Sequence, residues 1–262
     1  MLKHKHAPTI KTFVQTTISS IKYLRGALKA AGFGLAMLTA TPAISTAQTA
    51  YRPGDQVVQI DGGLFGGGRA LLHLPRGKPS AAVVLVPGGD GAVGIDDSGS
   101  VARDGNWIVR TRRNYAASGI ASLLIDAGAN PGAAVTFMRG IAPKVVIVAM
   151  SRGSTRVPQA LSAKPDGVVF ASSMLDQVRQ GIGAPSALPP TLVIHHRRDE
   201  CPVTHFSMAG EFMAWAGSRA RLVWIDGGTS QGRICAGRAY HGFVGREGAV
   251  VGAITGFMRG LR

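Results

Sequence analysis

Short runs dominated by apolar residues recur along the chain and alternate with amphipathic stretches. Strands that are buried on both faces of a sheet have this continuous hydrophobic pattern. Two further apolar runs, at 57–60 and 70–74, flank a glycine-rich turn and predict a leading pair of strands. The buried strands are predicted at 81–86, 120–125, 144–149, 167–170, 191–194 and 221–225.

The stretches between these runs predict helices at 106–118, 154–163, 205–217 and 249–261. In the first of them apolar residues recur two turns apart, as Ile108 and Tyr115 do, and Gly119 suits the C-terminal cap. The stretch 128–141 is short and contains Pro131, which predicts a small or distorted helix. This alternation predicts an α/β fold: a mostly parallel sheet with helices on both faces and an antiparallel edge at the N-terminal strands.

The first 47 residues have the pattern of a cleavable signal peptide. Residues 1–29 contain six Lys and Arg residues and no acid. A short apolar stretch follows at 30–38, and small residues at Ser45 and Ala47 suit a cleavage site. This apolar core is well short of the about 20 residues that a bilayer span needs. We therefore predict an exported bacterial protein, periplasmic or secreted, with one domain at 48–262. A later start site or an organelle transit peptide is the alternative.

Export changes how the charge of the chain is interpreted. The full sequence has 29 basic and 14 acidic residues, a formal charge of +15. Without the six basic residues of the signal segment, 23 basic residues remain against 14 acidic ones, a formal charge of +9. The remaining basic residues are scattered and are not interleaved with aromatic residues, so nucleic-acid binding is not expected. Attraction to an anionic substrate or to a membrane surface is compatible with this charge.

The sequence contains two cysteines, Cys201 and Cys235. In an oxidising compartment such a pair forms a disulfide, so the predictions of export and of a bridge support each other. Two free buried thiols would fit a cytosolic protein better, and that alternative stays open at this point.

One strand-to-helix junction has the features of a nucleophile elbow. The run 144–149 leads almost directly to Ser151 and Arg152, and a predicted helix follows. In an elbow a sharp turn lifts the serine hydroxyl above the sheet, and the residues two before and two after it must be small. Ala149 and Gly153 satisfy this requirement, although Ala149 stands where glycine is usual. An ordinary turn with a serine cap would explain the same residues.

A carboxylate and a histidine follow the serine in the order that a catalytic triad requires. Asp199 lies just past the run 191–194, and His241 lies in the loop before the last predicted helix. The order Ser, Asp, His is that of the α/β-hydrolase superfamily. The Gly-Gly turn after the first buried strand, the Ser-Arg-Gly elbow, the His-His-x-x-Asp-x-Cys acid loop and the Cys ahead of His-Gly-Phe resemble small exported bacterial members of that superfamily. The resemblance covers roughly residues 55–262.

The resemblance implies a role for each residue of these motifs and an α/β-hydrolase-type sheet. Ser151 would be the nucleophile, His241 the base and Asp199 the acid that orients the histidine. The backbone N–H groups of Gly89 and Arg152 would form the oxyanion hole. A disulfide between the two cysteines would hold the acid loop and the histidine loop together.

Two other motifs match known patterns more literally. Gly-x-Ser-x-Gly occurs at 228–232, but it follows the last strand with no room for an acid before His241, and we interpret it as a loop. A dinucleotide fingerprint, Gly-x-Gly-x-x-Gly, occurs at 89–94, with Asp126 at the end of the next strand. The residues after these glycines predict a loop instead of a helix, and Asp126 comes later than the usual spacing of about 20 residues.

We therefore expect a serine hydrolase that cleaves an ester or another acyl bond through an acyl-serine intermediate, without cofactor or metal. The alternatives are a hydrolase-fold protein that binds without turnover and, less favoured, a Rossmann-type NAD(P)-dependent oxidoreductase. The expected partner is a small-molecule or acyl substrate. The sequence predicts no nucleic-acid partner and no stable membrane span, and it does not determine the oligomeric state.

Several polar residues near these motifs have two interpretations. His195 and His196 stand beside the acid, but without a second cluster of ligands they are interpreted as supporting residues instead of metal ligands. Three residues of the first predicted helix either face the site or belong to an ordinary amphipathic helix: Asn106, Trp107 and Arg110.

Overall fold

The structure is a computed structural model, and it describes residues 54–63 and 66–261. The predicted signal segment, 1–47, lies outside the described residues, so the signal and the domain boundary at residue 48 stay predictions. In the part of the chain that the structure describes, no helix has both the length and the apolar character needed to cross a membrane.

A single sheet runs through the described part of the chain. Its strands are β1 (Gly54–Asp61), β2 (Gly67–Leu74), β3 (Ala81–Val86), β4 (Ile120–Ile125), β5 (Val145–Ser151), β6 (Gly167–Ser173), β7 (Thr191–His196) and β8 (Ala220–Ile225). Their order in the sheet is β1-β2-β4-β3-β5-β6-β7-β8. β2 is antiparallel to both β1 and β4, and every other neighbouring pair is parallel. The predicted mostly parallel sheet with an antiparallel N-terminal edge is confirmed.

Helices cover both faces of this sheet, as predicted. Within the described residues the α-helices are α1 (Trp107–Thr111), α2 (Pro131–Arg139), α3 (Val157–Ala160), α4 (Leu175–Ile182), α5 (Met208–Ala216) and α6 (Glu247–Gly260). One buried apolar cluster joins the sheet to α2, α3, α4 and α5. The other joins the opposite face to α1 and α6. The continuous apolar strands are thus explained by burial on both faces.

Of the two forms expected for 128–141, a small or a distorted helix, the structure has the first, a helix of nine residues. Pro131 occupies the first turn of α2, where its missing N–H has no intrahelical partner to lose. The side chain of Asn130 caps this helix by accepting hydrogen bonds from the N–H groups of Gly132 and Ala133. The helix is regular for nine residues, because Asn-Pro starts it instead of interrupting it.

The predicted helix at 106–118 is instead two short segments. After α1 the chain turns and continues as a 3-10 helix, Asn114–Ser118, which ends at Gly119 with a φ of 70°. At the break between them, Arg112 and Arg113 both bind the carboxylate of Asp55 on β1. These tertiary ion pairs lie at the break in the helix. The local sequence pattern does not indicate the break, because Asp55 is distant along the chain.

The predicted helix at 154–163 is also broken. It consists of a 3-10 turn at Arg152–Arg156, the four-residue α3, and a second 3-10 turn at Leu161–Ala163. Only four residues here are α-helical, so the dipole of this helix contributes little at the carboxyl end of β5. α4 was not among the predicted helices.

The topology brings several chain segments to one edge of the sheet. β3, β5, β6, β7 and β8 are parallel neighbours in the sheet, so their carboxyl ends lie along the same edge. In open parallel sheets this is the edge at which ligands bind. The turn after β3, the end of β5 and the loop after β7 are the segments that carry the predicted chemistry.

Candidate active site

Ser151 ends β5 in a backbone conformation that L-residues rarely adopt. Its φ is 52° and its ψ is −132°. The pairing of β5 with β6 shifts register between Met150 and Ser151, so the chain leaves the sheet at this residue. A non-glycine residue with positive φ stores about 1–3 kcal/mol of strain and persists only where the surroundings enforce it. The sharp strand-to-turn geometry of a nucleophile elbow is therefore present at the predicted serine.

Close packing behind the serine enforces this conformation. A Cβ on Gly153 would lie 2.2 Å from the carbonyl oxygen of Pro87, so only glycine fits there. The hydroxyl of Ser154 donates to the carbonyl of Ser151 at 2.6 Å and accepts from the N–H of Met174 at 3.2 Å. These contacts fix the turn against the segments that follow β3 and β6.

The turn after β3 approaches the serine directly. A Cβ on Gly88 would lie 2.9 Å from Cβ of Ser151, so glycine is required for this approach. Gly89, the predicted oxyanion donor, is exposed and has a φ of 70°. Arg152, the other predicted donor, begins the 3-10 turn immediately after the serine. The two predicted donors thus lie on the two segments that meet at Ser151.

The structure brings the predicted acid and base into contact. The Oδ2 atom of Asp199 lies 3.0 Å from Nδ1 of His241, and both side chains are buried. The other carboxylate oxygen, Oδ1, accepts the N–H of Cys201 at 3.1 Å. The hydroxyl of Thr204 lies 3.2 Å from the same Nδ1 and 3.5 Å from Oδ2. The carboxylate is therefore held from two sides, with one oxygen directed at the imidazole.

Asp199 is stabilised as a carboxylate despite its burial. Burial alone would raise the pKa of its carboxyl group. The hydrogen bonds from His241 and from the N–H of Cys201 outweigh this and lower the pKa of Asp199 below its ordinary value. An ionised Asp199 next to Nδ1 favours the imidazole tautomer that carries its proton on Nδ1, which leaves Nε2 free to act as a base.

A disulfide connects the two loops that carry this pair. Cys201 and Cys235 are bonded, with their Cα atoms 4.8 Å apart. Cys201 follows the acid by two residues, and Cys235 precedes the base by six. The bridge therefore fixes the acid loop to the histidine loop close to the Asp199–His241 contact.

Several solved structures are similar to this chain in fold. A dienelactone hydrolase from Anabaena variabilis matches with a TM-score of 0.60 at 18% identity, covering 81% of this chain and 100% of that one. The chain has the α/β-hydrolase fold. An α/β serine hydrolase homologue from Coxiella burnetii matches with a TM-score of 0.56 at 15% identity, over 81% of this chain and 100% of that one. Carboxyl esterase 2 from the mycorrhizal fungus Tuber melanosporum matches with a TM-score of 0.55 at 15% identity, over 83% and 89%.

Sequence comparison adds no closer relative. No protein-family model matches the chain, and no curated protein matches it. The identities with the solved structures are low, so these likenesses establish the fold, and the chemistry of the site has to be argued from its own residues.

The rival motifs have other roles in this α/β-hydrolase fold. No helix follows the glycines at 89–94, and the carboxylate of Asp126 accepts the N–H groups of Val93 and Ile95 at 2.8 and 3.0 Å. Asp126 thus anchors the loop after β3, which contradicts the dinucleotide-binding interpretation. The segment 228–232 is an exposed loop with no helix directly after it, as expected.

The two histidines before the acid are structural in different ways. His196 donates from Nε2 to the carbonyl of Gly227 at 2.8 Å and accepts at Nδ1 from the N–H of Arg198 at 3.0 Å. This fixes its neutral tautomer and ties the acid loop to the loop after β8. His195 is fully buried, with Nδ1 3.9 Å from Asp199 Oδ2. Within the described residues no group of three His, Cys, Asp or Glu side chains is arranged to hold a metal ion.

Arg110, which had two interpretations, connects the loops around the base. Its guanidinium donates to the carbonyls of Gly105, Gly237 and Gly242 and forms an ion pair with Glu247 at 2.7 Å. The other two residues of this helix are placed differently. Asn106 caps α1 through its side chain, and Trp107 is buried against Phe243 with the ring centroids 5.7 Å apart.

Sequence reasoning missed Thr204. It lies five residues beyond the acid, and its contact with both Asp199 and His241 depends on the 3-10 turn Pro202–Thr204. No motif spacing indicates this contact. The pair Cys201-Pro202, which opens that turn, is the nearest signal that the sequence contains.

Proposed function

We propose that this protein is a serine hydrolase that cleaves an ester or another acyl bond through an acyl-serine intermediate. The observation that carries the proposal is the buried Asp199–His241 pair, 3.0 Å apart, at the sheet edge where Ser151 stands in an elbow conformation. The elbow and the acid–base pair are separate features, and the catalytic triad is the arrangement that uses both. Structural neighbours named as hydrolases and esterases support the same reaction class.

The proposed reaction has two halves. In the first, Nε2 of His241 takes the proton of the Ser151 hydroxyl while the oxygen attacks the carbonyl carbon of the substrate. The resulting tetrahedral intermediate expels the alcohol or amine, which takes up that proton, and an acyl-serine remains. In the second, a water molecule loses a proton to His241 and its oxygen attacks the acyl carbon. The second tetrahedral intermediate then breaks its bond to Ser151, the serine oxygen takes the proton back from His241, and the carboxylic acid is released. Asp199 stabilises the imidazolium that forms in each half.

The oxyanion of each tetrahedral intermediate needs donors that are in place before the reaction. We assign this role to the backbone N–H groups of Arg152 and Gly89. Glycine at residues 88 and 153 allows the two backbone segments to approach each other at the serine. One such donor typically contributes about 3–4 kcal/mol of transition-state stabilisation.

The proposed location is outside the cytoplasm, in the periplasm or the medium. The disulfide between Cys201 and Cys235 supports this, because structural disulfides persist in oxidising compartments. The signal pattern at 1–47 supports it independently. The mechanism needs no cofactor, because each step uses side chains of the chain itself.

Steady-state hydrolysis of p-nitrophenyl acetate by the purified domain tests the proposal. We expect turnover that Ser151→Ala and His241→Ala each reduce by about a thousandfold or more, and that Asp199→Asn also reduces strongly. Ser230→Ala is the matched control, because Ser230 lies in the exposed loop with the literal Gly-x-Ser-x-Gly motif, and it should leave turnover unchanged. Turnover that survives in Ser151→Ala would contradict the proposal.

A further inference from the structure

Thr204 occupies an unusual place in the site, since its hydroxyl touches the acid and the base together. Its Oγ1 lies 3.2 Å from Nδ1 of His241 and 3.5 Å from Oδ2 of Asp199. The residue is fully buried, so no bulk water competes for these contacts. The backbone around it is fixed as well, because its N–H donates to the carbonyl of Cys201 at 3.0 Å.

The protons available at this junction allow only one consistent arrangement. The carboxylate of Asp199 has no proton, so its Oδ2 accepts at 3.0 Å and Nδ1 of His241 must be the donor. The Nδ1 atom then has no lone pair to accept the Thr204 hydroxyl proton. The Nδ1–H of His241 therefore forms a bifurcated hydrogen bond, which the Thr204 hydroxyl oxygen also accepts. The hydroxyl proton of Thr204 is directed at Oδ2 of Asp199. A hydroxyl suits this position because it donates once and still has lone pairs to accept.

We propose that Thr204 is a positioning residue for catalysis, which holds His241 in the tautomer with the proton on Nδ1 and fixes the plane of its ring. This inference rests on the proposed function. In this arrangement the imidazole has two acceptors on its Nδ1 side, Asp199 and Thr204, so rotation of the ring would break both contacts. Nε2 thereby keeps its lone pair and its direction for the proton of Ser151.

Three variants separate a positioning role from a packing role. Thr204→Val keeps the shape of the side chain and removes the hydroxyl, whereas Thr204→Ser keeps the hydroxyl. Thr255→Val is the control, because Thr255 is also buried and its hydroxyl donates to a carbonyl of its own helix, that of Gly252. Folding of each variant is checked by thermal unfolding before kinetics are measured.

The expected result is a split between kcat and KM for p-nitrophenyl acetate. Thr204→Val should lower kcat about tenfold, the size of one net hydrogen bond to a charged group, with KM within about twofold. Thr204→Ser should restore kcat to within about threefold of the original protein, and Thr255→Val should not change it. A folded Thr204→Val with unchanged kcat would overturn the proposal, as would a Thr204→Ser variant that is no better than Thr204→Val.

A second measurement needs no variant and no turnover. The ¹⁵N chemical shifts of the His241 ring at neutral pH distinguish a proton on Nδ1 from a proton on Nε2. The proposal requires the proton on Nδ1, and a proton on Nε2 would overturn it even if Thr204→Val does not fold. Absence of turnover in the unmodified protein would instead contradict the proposed function, while a proton on Nε2 would contradict the role of Thr204.

Discussion

At the scale of single residues, His195 is a buried titratable side chain that the proposed reaction does not use. It lies fully inside the protein, between the ring of Trp224 and the carboxylate of Asp199. Burial lowers the pKa of His195 below its ordinary value, and the attraction of Asp199 opposes this without reversing it. Its Nε2 forms no hydrogen bond with the residues that the structure describes. His195 is therefore harder to protonate in the folded state than in the unfolded chain, which protonates it near pH 6.5.

This difference predicts a loss of stability in mild acid. As pH falls below about 6.5, the unfolded state binds a proton at His195 that the folded state does not, so the free energy of unfolding decreases by up to about 1.4 kcal/mol per pH unit. The decrease ends once pH falls below the lowered folded-state pKa. Urea unfolding between pH 7.5 and 5.5 measures it, and His195→Leu should have a flatter profile than the original protein. Parallel profiles for the two proteins would show that His195 does not contribute.

At the scale of elements, the elbow depends on the fit between β5 and the turn after β3. Gly153 lies against the carbonyls of Val86 and Pro87, so the two segments can approach only without a side chain at this residue. The strained φ of Ser151 is maintained by this packing and not by a regular helix, because the residues after the serine form a 3-10 turn.

Gly153→Ala should therefore destabilise the protein by about 3 kcal/mol or more, because the added Cβ would lie 2.2 Å from a backbone oxygen. Gly248→Ala is the matched control. Gly248 lies in α6 with open space around its Cβ position, and alanine there should be neutral or stabilising by up to about 1 kcal/mol. Thermal unfolding of the two variants tests this, and equal midpoints would contradict the account of the elbow.

The loops around His241 are held together by the hydrogen bonds of Arg110. Its guanidinium joins α1 to the histidine loop and to Glu247 at the start of α6. Arg110→Met should cost about 2 kcal/mol, because it leaves a partly buried carboxylate and several carbonyls without their donor. Arg103→Met, which breaks an exposed ion pair with Asp90, should change the free energy of unfolding far less. Equal losses of unfolding free energy in the two variants would refute this role of Arg110.

The strands follow from the local hydrophobic pattern, whereas two of the helices do not. The strands could be predicted because burial on both faces imposes a continuous apolar run, which is visible in one sequence. The helices at 106–118 and 154–163 could not be predicted correctly. The first breaks where Arg112 and Arg113 meet Asp55, more than 50 residues away, and the second is shaped by backbone packing around the elbow. Pro131 does not distort its helix, because Asn130 caps the helix directly before it and the proline starts the first turn.

The sequence indicated some residues of the candidate site and not others. Ser151, Asp199 and His241 lie at strand ends or in loops whose order along the chain is characteristic, so motif and order indicated them. Thr204 was missed, since its contact with the acid–base pair depends on the path of a short turn. The role of Arg110 was left open, because its partners lie up to 137 residues away along the chain.

At the scale of the whole molecule, the Cys201–Cys235 disulfide closes a loop that contains β8. The two cysteines are separated by 34 residues, for which the chain-entropy estimate gives about 3–4 kcal/mol of stabilisation. The double variant Cys201→Ser/Cys235→Ser should lose this amount in urea unfolding. Reductant should lower the midpoint of the original protein and leave that of the double variant unchanged. A free-thiol assay that detects both cysteines in the unfolded, unreduced protein would contradict the bridge.

The central claim is that Ser151 is an activated nucleophile, and covalent labelling tests it most directly. The measurement is mass-spectrometric mapping of a fluorophosphonate adduct on the purified protein, with Ser151→Ala as control. The account predicts one adduct, on Ser151, which is absent in Ser151→Ala and forms more slowly in His241→Ala. An adduct on Ser230 would show that the wrong serine was chosen. No adduct, under conditions in which a known esterase is fully labelled, would contradict the claim and favour a hydrolase-fold protein that binds without turnover.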